Sequence, residues 1–124
     1  MTDRIRACAE HEAGHAVVAR ALGYHVHTIH VGQDGSGYTA WDYSRAPHDH
    51  RAAITAAGDV AARTLGTTPY LDLACDDLAR FEADHGLEAL WSANRLAERL
   101  LTLHKTAVFR LASRLTEHRT LTFP

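Results

Sequence analysis

The sequence predicts a mainly helical α+β fold that forms a single domain over residues 1–124. Long stretches rich in Ala, Leu and Arg carry apolar residues at helical spacing, and one short stretch alternates β-branched and aromatic residues. The chain is also long enough to bury one hydrophobic core but too short for two. We therefore expect about five helices and a small β-hairpin beside the first of them.

The first half of the predicted fold is a helix followed by the hairpin. The helix covers residues 2–22 and ends at Gly23, where a C-terminal cap is expected. Residues 25–31 and 38–43 have the alternation typical of strands, and the turn-forming segment "GQDGSG" joins them. This loop of some six residues is longer than the tightest hairpin turns.

The second half of the chain is predicted to be helical. One helix is expected over residues 48–65 and ends at Gly66, and a second is expected over residues 70–85. The remaining stretch, residues 87–118, carries apolar residues at helical spacing throughout. We interpret it as two packed helices that break near His104.

Composition and charge exclude several classes of protein. With 46% hydrophobic and 23% charged residues, the chain resembles ordinary soluble globular proteins, and a net charge of −2 offers no general attraction to nucleic acid. No apolar run approaches the roughly 20 residues that a membrane helix needs. The first residues, "MTDRIRACAEHE", lack the apolar centre of a signal peptide. We expect a cytoplasmic protein without a membrane segment or a nucleic-acid partner.

The segment "EHEAGHAVVA" carries the clearest chemical pattern. It places His11, Glu12 and His15 in the H-E-x-x-H spacing on the first helix. Residues four apart share a helical face, so both imidazoles can reach one Zn²⁺ ion at about 2.0–2.1 Å. Glu12 lies beside that face and can accept a proton from the attacking water, whose pKa zinc lowers to about 7. Gly14, in the middle of the helix, is expected where another backbone passes close by.

A third zinc ligand must come from elsewhere in the chain, and the residues alone leave two sets of candidates. Histidines on the first strand are the less favoured set, because zinc hydrolases commonly complete their site with a carboxylate. The acid-rich segment "ACDDLARFEADHG" supplies the other set. The histidines are His25, His27 and His30, and the carboxylates are Asp76, Asp77, Glu82 and Asp84.

Four segments resemble, in the same order, the peptidase domain of FtsH-type ATP-dependent zinc proteases. They are "HEAGHAVVA" (11–19), "SGYTA" (36–40), "AAGDVAARTLG" (56–66) and "ACDDLAR" (74–80). The closing helices are similar too, so the resemblance covers nearly the whole chain. It implies a zincin-like peptidase fold in which Asp77 joins His11 and His15 as the third Zn²⁺ ligand. It also implies that a polypeptide substrate runs extended along the strand that carries Tyr38 and Thr39.

The chain departs from that family in ways that bear on function. Asp76 stands where the family usually has Asn, and it could hydrogen-bond a ligand histidine instead of the metal. In "GQDGSGYT", Tyr38 stands where a P-loop would have its lysine, so no nucleotide site is expected. The ATPase module and membrane anchor of FtsH-type proteases have no counterpart in these residues.

Together these observations predict a stand-alone zinc metalloendopeptidase that cleaves flexible or unfolded polypeptides, with Glu12 as the catalytic base. Two alternatives stay open: a zinc-stabilised binding or adaptor module with little turnover, and a regulatory protease that cleaves one partner. The residues do not identify the substrate or a separate ATPase partner. They do not separate Zn²⁺ from Fe²⁺ or Co²⁺ either. A homo-oligomer is compatible with the resemblance, because FtsH-type proteases form hexamers.

Overall fold

The computed structural model describes the backbone of residues 2–65 and 71–124 and the side chains of residues 4–65 and 78–124. Within these residues the predicted fold class is confirmed, since five helices pack with one small antiparallel sheet. None of the helices described is both long and apolar enough to span a membrane.

The helices and strands follow the predicted order with small changes in their bounds. In chain order they are α1 (Thr2–Ala21), β1 (Val26–Val31), β2 (Gly37–Trp41), α2 (His48–Thr64), α3 (Leu71–His85), α4 (Leu90–Leu103), α5 (Lys105–His118) and β3 (Thr120–Thr122). The predicted break at His104 is confirmed, because this residue separates α4 from α5. The predicted boundary between α2 and α3, including Gly66, lies outside the described residues.

The sheet has the strand order β2-β1-β3, and both pairings are antiparallel. Ile29 in the central strand lies opposite Thr39 of β2 and Leu121 of β3. Three residues are too few for the alternation that identifies a strand in a sequence, so β3 was not predicted. Within the described residues β2 is an edge strand, and its outer side is left without a strand partner.

The hydrophobic core surrounds α1, which packs against α2, α5 and the sheet. Small buried residues such as Ala9, Ala13 and Ala16 let these neighbours approach closely. A Cβ atom added to Gly14 would lie 2.6 Å from the Cβ atom of Ala61 and 2.7 Å from the carbonyl oxygen of Ala57. Another backbone, that of α2, therefore passes close to α1 at Gly14.

Gly14→Ala is expected to lower the free energy of unfolding by about 1–3 kcal/mol, because the added methyl group overpacks the contact between α1 and α2. In an exposed helix the same change raises stability by about 1 kcal/mol. A decrease in the free energy of unfolding would therefore indicate the close contact with α2. Urea unfolding followed by circular dichroism measures it. An unchanged or higher stability would show that α2 does not pass close to Gly14.

Some of the regularly spaced apolar residues of α4 are exposed and do not belong to the core. Ala93, Ala97 and Leu101 are buried, whereas Trp91 and Leu103 are 69% and 73% exposed. The Arg95 guanidinium lies over the Trp91 ring, 4.9 Å from its centre, and covers part of the apolar surface. Apolar spacing in this helix therefore does not by itself identify the core residues.

Candidate metal centre

The imidazole rings of His11 and His15 lie close together on one face of α1. The Nε2 atoms of His11 and His15 lie 3.2 Å apart, and the rings are nearly perpendicular. Two nitrogens bound at about 2.0–2.1 Å to one tetrahedral zinc ion are about 3.3 Å apart. The spacing of the two atoms therefore fits two ligands of a single cation. His11 is also 3% exposed, which limits the positions its ring can take.

The orientation of His15 is fixed from the opposite side of its ring. Its Nδ1 atom lies 2.6 Å from the carbonyl oxygen of Ile54 in α2. A carbonyl oxygen only accepts hydrogen bonds, so Nδ1–H donates and Nε2 keeps the lone pair that a metal would use. Histidine ligands of metals usually make such a bond with their second nitrogen. The contact supports the fit of His15 to a cation.

Gly58 of α2 leaves the space in front of both Nε2 atoms open. A Cβ atom at this position would lie 2.6 Å from Nε2 of His11 and closer still to Nε2 of His15. Any side chain would therefore fill the space in front of the two Nε2 atoms. The glycine keeps a cradle that fits a small cation between α1 and α2.

Glu12 lies beside the histidine pair and is held by β2. Its side chain is buried, and its Oε1 atom accepts a hydrogen bond of 2.8 Å from the Thr39 hydroxyl. The same hydroxyl lies 3.1 Å from the main-chain oxygen of Glu12. Because one oxygen of the carboxylate is held by Thr39, the group has a defined orientation at the cleft.

A cleft of about 240 Å³ opens over these groups. Its lining comes from the metal-centre face of α1, from the edge strand β2 and from α2 and α3. The lining residues are His11, Glu12, His15, Ser36, Gly37, Tyr38, Thr39, Trp41, Ile54, Thr55 and Arg80. The edge strand β2 and the H-E-x-x-H residues therefore border the same cleft.

Tyr38 and Thr39, predicted to bind substrate, both line this cleft. Tyr38 is 52% exposed and its ring lies against that of His30. Thr39 directs its hydroxyl to Glu12, so it orients the carboxylate in addition to lining the cleft. Their contact with substrate stays a prediction.

The side chain of Asp77, the predicted third ligand, lies outside the described part of the chain, as does that of Asp76. The backbone of Asp77 belongs to α3, and α3 reaches the cleft through Arg80. Among the described side chains no third candidate ligand completes a group with the two histidines. The assignment of Asp77 stays a prediction.

The strand histidines face other parts of the molecule. Nε2 of His27 lies 2.8 Å from Asp42 Oδ1, and Nδ1 of His30 lies 2.8 Å from the Thr120 hydroxyl. The ring of His25 packs against that of His27. Within the described residues none of the three histidines lines the cleft. These contacts favour the carboxylate set of candidates.

Cys8, one turn before His11, is a buried thiol with low reactivity. It is fully buried, and this burial together with the negative charges of Glu12 and Asp34 raises the pKa of its thiol to about 12. Only the thiolate is a good nucleophile or metal ligand. Cys8 therefore acts as a small core residue beside the site.

Three groups at the site were not predicted from the sequence: the carbonyl of Ile54, Gly58 and Arg80. The carbonyl of Ile54 carries no sequence signal, since any residue supplies one. Gly58 does carry a signal, because a glycine in a helix interior usually has a packing or functional reason. Arg80 lies within the segment "ACDDLAR", but its spacing from the histidines says nothing about the cleft.

Thr39→Val is expected to lower kcat/KM for peptide hydrolysis by roughly tenfold to hundredfold. The change removes a hydrogen bond to a charged group, which contributes about 1.5–3 kcal/mol, and keeps the shape of the side chain. Steady-state kinetics of the variant beside Thr39→Ser measures the effect. The serine variant keeps a hydroxyl and should retain most of the activity; equal losses in both variants would remove the orienting role.

Comparison with known proteins points to one family. Residues 4–79 match the sequence model of a family described as Peptidase M50B-like. The matched range contains the H-E-x-x-H residues and, close to its end, Asp77. No curated protein matches the chain.

Proposed function

The chain belongs to the Peptidase M50B-like family, and from that premise we propose that it is a zinc-dependent endopeptidase. His11, His15 and Asp77 hold the cation, and Glu12 is the catalytic base. The observation that carries the proposal is the 3.2 Å separation of the two Nε2 atoms beside a buried, oriented carboxylate. The family match covers peptidases more broadly than the FtsH type, so the FtsH-type resemblance enters as part of the proposal.

The choice of zinc follows from the donor set and the space between the donors. Imidazole nitrogens with one carboxylate suit Zn²⁺ in hydrolases. The lone pair of His15 is directed by the bond to Ile54, and Gly58 keeps the space beyond it clear. When bound, zinc would lower the pKa of a water molecule and polarise the carbonyl group of the substrate.

The residues of the chain divide the remaining chemistry between them. The Glu12 carboxylate accepts the proton that the attacking water loses and later donates it to the leaving amine. Thr39 holds one oxygen of that carboxylate and leaves the other oxygen for the exchange of the proton. Burial of Glu12 between α1 and β2 limits the motion of the base during this exchange.

The edge strand β2 suggests how a polypeptide would bind. Its outer side has free main-chain groups within the described residues, and it borders the cleft along Gly37–Trp41. An extended substrate can add to such an edge through main-chain hydrogen bonds, which tolerate many side chains. We therefore assign flexible or unfolded polypeptides as the substrate class.

The proposal is tested by cleavage of an unfolded protein whose cysteines have been blocked. The purified chain should cleave it slowly, lose this activity with a zinc chelator and regain it when Zn²⁺ is restored. The same protein in its folded form should be resistant, because its backbone cannot add to β2. Activity that a chelator leaves untouched would contradict the proposal, and bound zinc without cleavage would favour a binding or adaptor module.

A further inference from the structure

We propose that Arg80 forms a carboxylate-binding subsite in the cleft, so that the chain prefers substrates with an acidic side chain or a free C-terminal carboxylate near the cleaved bond. This assignment deepens the proposed function and rests on it for the reaction. The subsite itself rests on the surroundings of Arg80.

Arg80 is a cation that lines the cleft without a partner in the described part of the chain. Its side chain is exposed, and it makes no hydrogen bond or ion pair with residues 4–65 and 78–124. Other arginines have carboxylate partners: Arg6 lies 3.2 Å from Glu10, and Arg63 lies 2.7 Å from Asp59. The charge of Arg80 is therefore available to a ligand.

Among the described lining residues of the cleft, no carboxylate pairs with this guanidinium. Arg80 is the one arginine or lysine among the described lining residues, and Glu12 is the one acidic residue. Glu12 is bonded to Thr39 and makes no ion pair with Arg80. A guanidinium presents a planar fork of N–H donors that matches the two oxygens of a carboxylate. A substrate carboxylate therefore suits this position in both charge and shape.

The position of α3 brings this fork within reach of a substrate on β2. Ser36 to Thr39 line the cleft on the sheet side, whereas Arg80 and Thr55 line it from α3 and α2. A peptide added to β2 would pass between these two sides. Successive side chains of an extended peptide point to opposite faces, so every second side chain would point to the same side of the cleft. One such side chain, or the end of the peptide, can meet Arg80.

Pairs of unstructured peptides test the subsite. The two members of a pair differ only in Glu or Gln at one position, which is scanned along the peptide, and each is made with a free and an amidated C-terminus. Cleavage by the wild type gives a ratio of kcat/KM values, and fluorescence anisotropy on Glu12→Gln gives a ratio of binding constants without turnover. The same measurements are made on two variants of the subsite, Arg80→Gln and Arg80→Lys. The control variant is Arg99→Gln, which changes an exposed residue of α4.

For the wild type, both ratios should favour the peptide with the carboxylate by about fivefold. The preference should occur at one scanned position or at the C-terminus, and this shows whether a side chain or the chain end supplies the carboxylate. The ratio should fall to about one in Arg80→Gln, persist in part in Arg80→Lys and stay intact in Arg99→Gln. Raising the ionic strength should reduce it, because the pair is exposed to solvent.

Two results would overturn the subsite: no preference in the binding measurements, or a preference that survives in Arg80→Gln. Equal losses for both peptides in Arg80→Gln, with the ratio intact, belong to the second case and would indicate a general role in the reaction. A binding preference without any cleavage by the wild type contradicts the proposed peptidase activity but supports the subsite. The two proposals therefore fail separately.

Discussion

Glu12→Gln is expected to lower the rate of peptide hydrolysis by about 10³-fold while metal content and fold are retained. The amide has nearly the shape of the carboxylate, and its oxygen can accept the hydrogen bond from Thr39. It cannot accept the proton of the attacking water at neutral pH, however, so the catalytic step loses its base. Single-turnover hydrolysis of an unfolded substrate measures the loss, and zinc analysis of the same sample shows whether the centre is intact.

Glu10→Gln is the matched control for this change. Glu10 is also buried on α1, two residues earlier, but it pairs with Arg6 and does not line the cleft. Its substitution is expected to lower stability and to leave the activity per folded molecule close to that of the wild type. If Glu12→Gln kept wild-type activity, the carboxylate could not be the base.

Gly58→Ala is expected to weaken zinc binding by about 10–100-fold, because the new methyl group would occupy the space in front of both Nε2 atoms. The methyl group must also displace at least one of the two imidazole rings, which lowers the stability of the metal-free chain. We therefore expect a metal-free chain of somewhat lower stability, which gains little further stability when zinc is added. Competition with a chromophoric chelator gives the affinity, and urea unfolding with and without zinc gives the stabilisation.

Gly14→Ala provides the comparison for Gly58→Ala. Both substitutions add one methyl group between α1 and α2, but the group at Gly14 meets Ala57 and Ala61 and not the imidazoles. Both substitutions should lower the stability of the metal-free chain, but only Gly58→Ala should also lower the affinity for zinc sharply. Wild-type affinity in Gly58→Ala would show that the cation does not lie between the two histidines and α2.

The parts of the fold that the sequence predicted are those with local causes. α1 ends before Gly23, whose φ of 96° takes the left-handed conformation that favours glycine. α4 and α5 separate at His104, whose φ and ψ of −110° and 28° leave the helical region. The H-E-x-x-H geometry is local too, because helical periodicity alone brings residues four apart to one face.

The features that the sequence did not predict depend on contacts between distant elements. β3 forms because β1 has a second edge to pair, and residues 120–122 carry no signal of that partner. The bond from His15 to Ile54 joins positions 39 residues apart, and the bond from Thr39 to Glu12 joins positions 27 apart. Such contacts are set by how α2 and β2 pack on α1, which residue patterns within each element do not specify.

One ion pair on the surface of α2 is local and lies outside the site. Asp59 and Arg63 lie one helical turn apart in α2 and form an ion pair of 2.7 Å. Both side chains are partly exposed, so the pair contributes little to stability.

A zinc count per chain for the wild type, Asp77→Ala and Asp76→Ala tests most directly whether His11, His15 and Asp77 bind one cation together. The wild type and Asp76→Ala should retain one zinc ion per chain after dialysis, and Asp77→Ala should lose it. A weaker but occupied site in Asp76→Ala would assign that carboxylate to a hydrogen bond with a ligand histidine. Full zinc content and unchanged affinity in Asp77→Ala would contradict the account.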